Sequence, residues 1–370
     1  MSADIRRAVL AGIAAGRPHI GPQTVHVDVT NTCNAACITC WDHSPLLDNA
    51  RSAAWKRRRL PRERFEALVD ELSAMGSVQE MILSGMGDPL THPDIYEMIA
   101  AVKQRGFRLT MLTNLVAADI DKLCDSGVDQ LLVGVHGVTP ESYCAFHPGW
   151  TEQHFFRMCR YLRALRTAGV SCRHVQVINR DTADELCEMV RFGDLFAADR
   201  VNFKLASLAE GTERCAITDA QRRRLREHDI DLARALADDL GVRTNLALFE
   251  RQVAAADALG AAPQTTTPMH EIGCYMGYVY TRITVDLEVL YCCNTEVKVG
   301  RLDEGERGTG FAALWQGERW QALRAAMARH EYLPGCERCG KLEQNVKWSA
   351  RVREAAAKAA ATDSSEATRA

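Results

Sequence analysis

Seven of the fourteen cysteines fall into two groups whose spacing suits metal chemistry. Cys33, Cys37 and Cys40 form a C-x3-C-x2-C array inside the stretch TNTCNAACITCWD, residues 30–42. Three thiolates on one short loop can each take one iron of a cubic [4Fe–4S] cluster and leave the remaining iron open to a small molecule. The alternatives are a zinc ion completed by His43 or three ordinary buried thiols, and thiols this close together are seldom only packing. The second group is Cys274, Cys292, Cys336 and Cys339, a C-x2-C pair joined by two distant cysteines at the ends of an expected hairpin. Four thiolates so arranged hold a metal centre, with zinc and iron–sulfur both open. Either Cys292 or Cys293 can supply the ligand at the hairpin end.

These groups need elements to position them. Val25, Val27 and Val29 alternate with polar residues, the period of a strand, so the first cysteine loop leaves a strand's C-terminal end. Barrel and open α/β folds place their chemistry there. Pro61 opens a helix with Phe65, Leu68, Val69, Leu72 and Met75 on one face. Strands follow at 81–85, 108–114, 130–137, 172–179 and 200–206, separated by helical patterns such as Ile95–Val102 and Phe155–Leu165. Strands alternating with helices imply βαβ units and a parallel sheet. Residues 208–265 read as a charged helical bridge with Leu225, Leu232, Leu236 and Leu240 as its apolar stripe. YVYTRITVD and LEVLYCCN read as two strands meeting at Asp286–Leu287. A short N-terminal helix ends at Gly16 and Pro18, and the Ala/Ser/Thr-rich tail is expected to be disordered at its end.

The 370 residues suffice for one large domain and a smaller one. A net charge of −3 argues against a nucleic-acid partner held by phosphate contacts, and no apolar run approaches a membrane span. The many cysteines, without a signal peptide, suggest a reducing cytoplasm.

The array after a first strand resembles that of the radical S-adenosylmethionine (radical SAM) family, although Thr39 stands before the third cysteine where the family often has an aromatic residue. The C-terminal group resembles the twitch module, the short form of the SPASM domain, with spacing like that of 2-deoxy-scyllo-inosamine dehydrogenase-like enzymes, and the family's hairpin favours Cys292 over Cys293. The resemblance implies a partial (β/α)6 barrel with a small C-terminal α+β iron–sulfur domain. The expected divisions are an N-terminal helix (1–20), the core (21–207), a helical bridge (208–268), the auxiliary-cluster domain (269–345) and a tail (346–370). The implied cofactors are a SAM-binding [4Fe–4S] cluster on Cys33, Cys37 and Cys40, S-adenosylmethionine itself, and an auxiliary [4Fe–4S] cluster on Cys274, Cys292, Cys336 and Cys339. The turn Gly85-Met86-Gly87-Asp88-Pro89 stands where the family holds the methionine amino group, so Gly85, Gly87 and Asp88 are expected at the cofactor. Asn114, His136 and Asn179 at later strand ends are further cofactor candidates. His136, Lys204 and Arg282 are candidate bases. The implied reaction takes hydrogen from a small polyhydroxylated substrate, a sugar or aminocyclitol, giving oxidation or epimerisation. The alternative substrate is a peptide or protein side chain. An electron donor such as flavodoxin or ferredoxin is the expected partner.

Overall fold

The computed structural model describes residues 3–255, 269–302, 310–333, 335–336 and 339–367. The core begins with α1 (Ala3–Ala14), β1 (Thr24–Thr30), the short α2 (Ala53–Lys56) and α3 (Arg62–Ala74). It continues through β2 (Glu80–Gly85), α4 (Ile95–Gln104), β3 (Arg108–Thr113), α5 (Ile120–Asp125) and β4 (Gln130–Gly134). Then come α6 (Pro140–Phe146), α7 (Glu152–Thr167), β5 (Cys172–Ile178), α8 (Leu186–Leu195) and β6 (Arg200–Leu205). The bridge holds α9 (Asp219–Arg224), a π-helical turn, α10 (Ile230–Leu240) and α11 (Leu246–Ala255). Last are α12 (Met269–Ile272), α13 (Met276–Val279), β7 (Tyr280–Ile283), β8 (Glu288–Leu290), β9 (Lys298–Arg301), α14 (Phe311–Gln316), α15 (Glu318–Ala328) and α16 (Leu342–Ala367).

Among the described residues the strands form one sheet in the order β6-β5-β4-β3-β2-β1-β7-β8-β9. Strands β1 to β6 are parallel neighbours in sequence order, and β6 does not pair back to close a barrel. This is the expected open α/β architecture. The period of two in β1 sets the layers: Val25, Val27 and Val29 pack outward in one core with Phe65, Leu68 and Leu72 of α3, while His26 and Asp28 take the other face. The sheet curls, because Lys204 of β6 and Arg282 of β7 line one cavity although five strands lie between theirs.

The C-terminal strands extend this sheet directly. β7 runs parallel to β1, pairing Val27 with Ile283, and β7 to β9 form an antiparallel meander whose first turn holds Leu287 at φ 62°. The leucine stripe expected for the bridge holds in part, with Leu225 buried and Leu236 packed against the same cluster. Leu232 and Leu240 are exposed, and the buried face of α10 is Ile230, Ala233 and Ala237. Small alanines let this helix approach α8 closely, so the larger side chains are pushed to the flank. Of the expected tail, α16 continues to Ala367, as an alanine-rich segment favours, and the very end lies outside the described residues. The bridge residues 256–268 and the last three residues lie outside the described part.

Candidate active site

The loop after β1 is held from several sides. Asn31 N donates to Arg58 O, Thr32 N to Thr30 Oγ1 (2.9 Å) and Ile38 N to Phe146 O (3.0 Å). Trp150, stacked between His147 and His154, donates Nε1–H to Asn34 O at 3.1 Å. The thiols of Cys33, Cys37 and Cys40 are half-buried and lie near enough to raise one another's cost of ionisation. Burial, with Asp88 next in effect, pushes the Cys33 thiol up to about 12. Backbone N–H groups of Ala35 and His43 point at the sulfurs of Cys33 and Cys40.

His43 is buried with Nε2 3.0 Å from Asn31 O, which leaves only its Nδ1 for a zinc ion. Among the described residues no three His, Cys, Asp or Glu side chains converge on one ion. Thiolates of a cubic cluster bind separate irons and need wider spacing, so the all-sulfur donor set and its N–H···S contacts fit a cluster.

The turn after β2 packs against this loop. A Cβ on Gly87 would stand 1.9 Å from Thr32 O, and one on Gly85 2.0 Å from Thr30 O. Gly87 N and Asp88 N donate to Thr30 O and Thr32 O. The backbone these glycines admit is therefore that of the cysteine loop itself. Gly87→Val is expected to displace Thr32 and cut the iron retained by the purified protein to about half, as one of two clusters is lost. Iron analysis with the protein still folded by circular dichroism checks this, and full iron content overturns it. The Asp88 carboxylate is occupied within the protein, accepting from Leu90 N, Thr113 Oγ1 and Asn114 N. Burial nevertheless pushes it up to about 6. Asn114 Nδ2 donates to Asn34 Oδ1 (2.8 Å), which ties β3 to the cysteine loop. Asn179 caps a turn through Oδ1, and its Nδ2 is buried with no partner among the described residues.

The second cysteine group gathers beneath the open side of the sheet. Cys274, Cys292, Cys293, Cys336 and Cys339 all line one cavity of about 470 Å³, which also reaches Trp41 and Asp42 beside Cys40. Asn345 links this group by accepting from Tyr275 N (2.8 Å) and donating to Cys339 Sγ. Asn294 N donates to Cys292 Sγ. Burial pushes the thiols of Cys274 and Cys339 up to about 12 and about 11. Cys292 and Cys293 share a hydrogen bond that favours the thiolate on Cys293, helped by Lys341 and Arg282. The four-sulfur set with amide donors fits a second cluster.

Residues 27–193 match the model of the radical SAM superfamily, and residues 274–340 match that of the SPASM iron–sulfur cluster-binding domain. The chain carries a radical SAM domain followed by a SPASM domain. Together they imply [4Fe–4S] clusters and S-adenosylmethionine as cofactors. An AdoMet-dependent heme synthase of Methanosarcina barkeri is 28% identical over 137 residues, covering 36% of this chain and 37% of the relative. The PqqA peptide cyclase of Ruegeria pomeroyi is 26% identical over 168 residues, covering 45% of this chain and 42% of the relative. The chain thus spans less than half the length of these curated relatives. The crystal structure of Streptococcus suis SuiB bound to its precursor peptide SuiA superposes with a TM-score of 0.57 at 15% identity, covering 86% of this chain and 70% of SuiB, a likeness of fold.

The three candidate bases differ. His136 sits at φ 61°, and its Nδ1 accepts from Val177 N, leaving Nε2–H as a donor. Burial, then the neighbouring His147 and Lys204, lowers it to about 3, so as placed it offers a hydrogen bond and not a base. Arg282, on the first strand of the SPASM side, grips Asp28 of β1 through Nε and Nη2 at 2.9 and 3.0 Å. A guanidinium so held keeps its protons and cannot serve as a base. Its Nη2 also reaches Met86 Sδ, while His26 bridges Ser84 and Tyr280 alongside. Lys204 lines the cavity with its side chain open to solvent, and the protein packed around it lowers its ammonium. The sequence reading missed Asp28 and Trp150. A carboxylate on the inner face of a valine-lined strand was the available signal for Asp28; Trp150 had none, since its role depends on the contact with Asn34.

Among the described residues no helix is long and apolar enough to cross a membrane.

Proposed function

We propose that this radical SAM enzyme oxidatively modifies a side chain of a peptide or protein. When bound, the first cluster and S-adenosylmethionine supply a 5'-deoxyadenosyl radical, and the second cluster supplies an electron acceptor. The chain's own residues provide the rest. The cysteine loop, braced by Phe146 and Trp150, fixes one wall of the cavity, and the SPASM cysteines fix another. Arg282 and Asp28 join the strands that carry those walls.

The observation that carries the reading is the lining between the arrays. It is largely apolar, with Met86, Met269, Met276, Met327 and Leu205, and Trp41 stands 60% exposed in its wall. Several of its polar side chains are committed, Arg51 to Asp42, Arg282 to Asp28 and Gln252 Oε1 to Leu205 N, while the Tyr291 hydroxyl and Lys204 have no hydrogen-bond partner among the described residues. A sugar or aminocyclitol needs several free partners for its hydroxyls, because each buried polar group left unpaired costs about 1–3 kcal/mol. An amino-acid side chain entering from the rim suits methionine walls, which adapt to shape. The peptide cyclase relative and the fold shared with SuiB support the same reading.

The test uses anaerobic, iron-reconstituted protein with S-adenosylmethionine and dithionite. It compares mixed-sequence peptides with a panel of sugars and aminocyclitols. The expected result is a peptide that loses two hydrogens, with deuterium from a labelled side chain appearing in 5'-deoxyadenosine. Turnover of the polyols alone would overturn the peptide assignment.

A further inference from the structure

Apart from its thiols and the Tyr291 phenol, the cavity's described lining carries four ionisable side chains, Asp42, Arg51, Lys204 and Arg282. Two ion pairs account for the others. Arg51 Nε meets Asp42 at 2.8 Å, and Arg282 meets Asp28, just behind the lining, at 2.9 Å. Lys204 has no hydrogen-bond or ion-pair partner among the described residues. Its position is set by the strand. Val201, Phe203 and Leu205 of β6 bury on the outer face, so the alternation turns Lys204 inward toward the space between the arrays. Its ionisable neighbours there are His136, which stays neutral, and Cys293. Its side chain stays open to the solvent of the cavity, so the ammonium can meet an anionic group of a ligand without first breaking a protein contact.

We propose that Lys204 anchors a carboxylate of the substrate, so that the peptide taken by this site presents an acidic side chain or a C-terminal carboxylate beside the carbon that reacts. The proposal rests on the radical SAM reading for where the substrate sits. A single ammonium reached from one wall fixes one end of the substrate and leaves the apolar remainder against the methionines. Charge-assisted bonds of this kind are about twice as strong as neutral ones.

The experiment uses the full chain, anaerobic, with iron restored and S-adenosylmethionine bound. Two probes are titrated by calorimetry: a capped heptapeptide with one central glutamate, and its glutamine twin. The glutamate peptide is expected to bind at least tenfold more tightly. K204M removes that preference, and K204R keeps it. Equal affinity in the unsubstituted protein, no measurable binding by either peptide, or a preference that survives K204M overturns the anchor. If K204M loses iron, the unsubstituted protein and K204R still decide the matter. If K204M instead shifts the reduction potential of the second site while the unsubstituted protein shows no peptide preference, Lys204 balances the charge of that site and the anchor fails. Formation of 5'-deoxyadenosine without any peptide is measured in parallel. Its absence fails the radical SAM reading, whereas its presence without a carboxylate preference fails the anchor alone.

Discussion

Replacing Cys33, Cys37 and Cys40 together by Ala abolishes all cleavage of S-adenosylmethionine and leaves the second site loaded. The loop that carries them is braced by protein contacts that do not involve sulfur: Thr30, Phe146, Trp150 and the Gly87–Asp88 backbone. The variant therefore folds and loses only the donors. Iron content falls from about eight to about four per chain. 5'-Deoxyadenosine, measured after reduction with dithionite, drops to the level of a protein-free control. Retained cleavage would place the reactive cluster elsewhere.

The second large effect concerns the SPASM cysteines. Replacing Cys274, Cys292, Cys336 and Cys339 by Ala is expected to leave cleavage of S-adenosylmethionine in place, to remove about four irons and to abolish formation of the oxidised product. Mössbauer spectra with iron and zinc analysis of the unsubstituted protein decide the identity of this centre. About four irons and one zinc would make the site a structural zinc knot and turn the reaction toward a redox-neutral one. The single variants Cys292→Ser and Cys293→Ser choose between the adjacent thiols. Cys292 is the proposed ligand, so its loss costs iron and the loss of Cys293 does not.

Much of this arrangement was legible in the sequence where a local rule operated. The period of two in Val25, Val27 and Val29 marked β1, and the alternation of strand and helix gave the parallel sheet in its observed order. The Asp286–Leu287 turn was readable because two alternating runs meet there. The failures share a physical cause, which is that they depend on what lies across space. Leucines at helical spacing suggested the buried face of α10, yet the close approach of α8 selected Ala233 and Ala237. Gly85 and Gly87 looked poised for a ligand, and their nearest neighbours are carbonyls of the cysteine loop. His136 and Arg282 read as bases from residue type alone. Their hydrogen bonds to Val177 and Asp28 commit them otherwise.

The pairing of β1 with β7 bears on how the chain is assembled during synthesis. The His26–Ser84 contact on one side of β1 spans 58 positions, while the His26–Tyr280 contact on the other spans 254. At translation speeds of about 5–20 residues per second, the second neighbour emerges roughly 10–40 s after the first. For that interval β1 is an open edge, and contacts of such long range form slowly. A fragment ending before Tyr280 would be frozen in this condition, with a sticky strand and an unbalanced buried carboxylate. Trimming the chain at the bridge should therefore produce an aggregating half-sheet and not a smaller working enzyme.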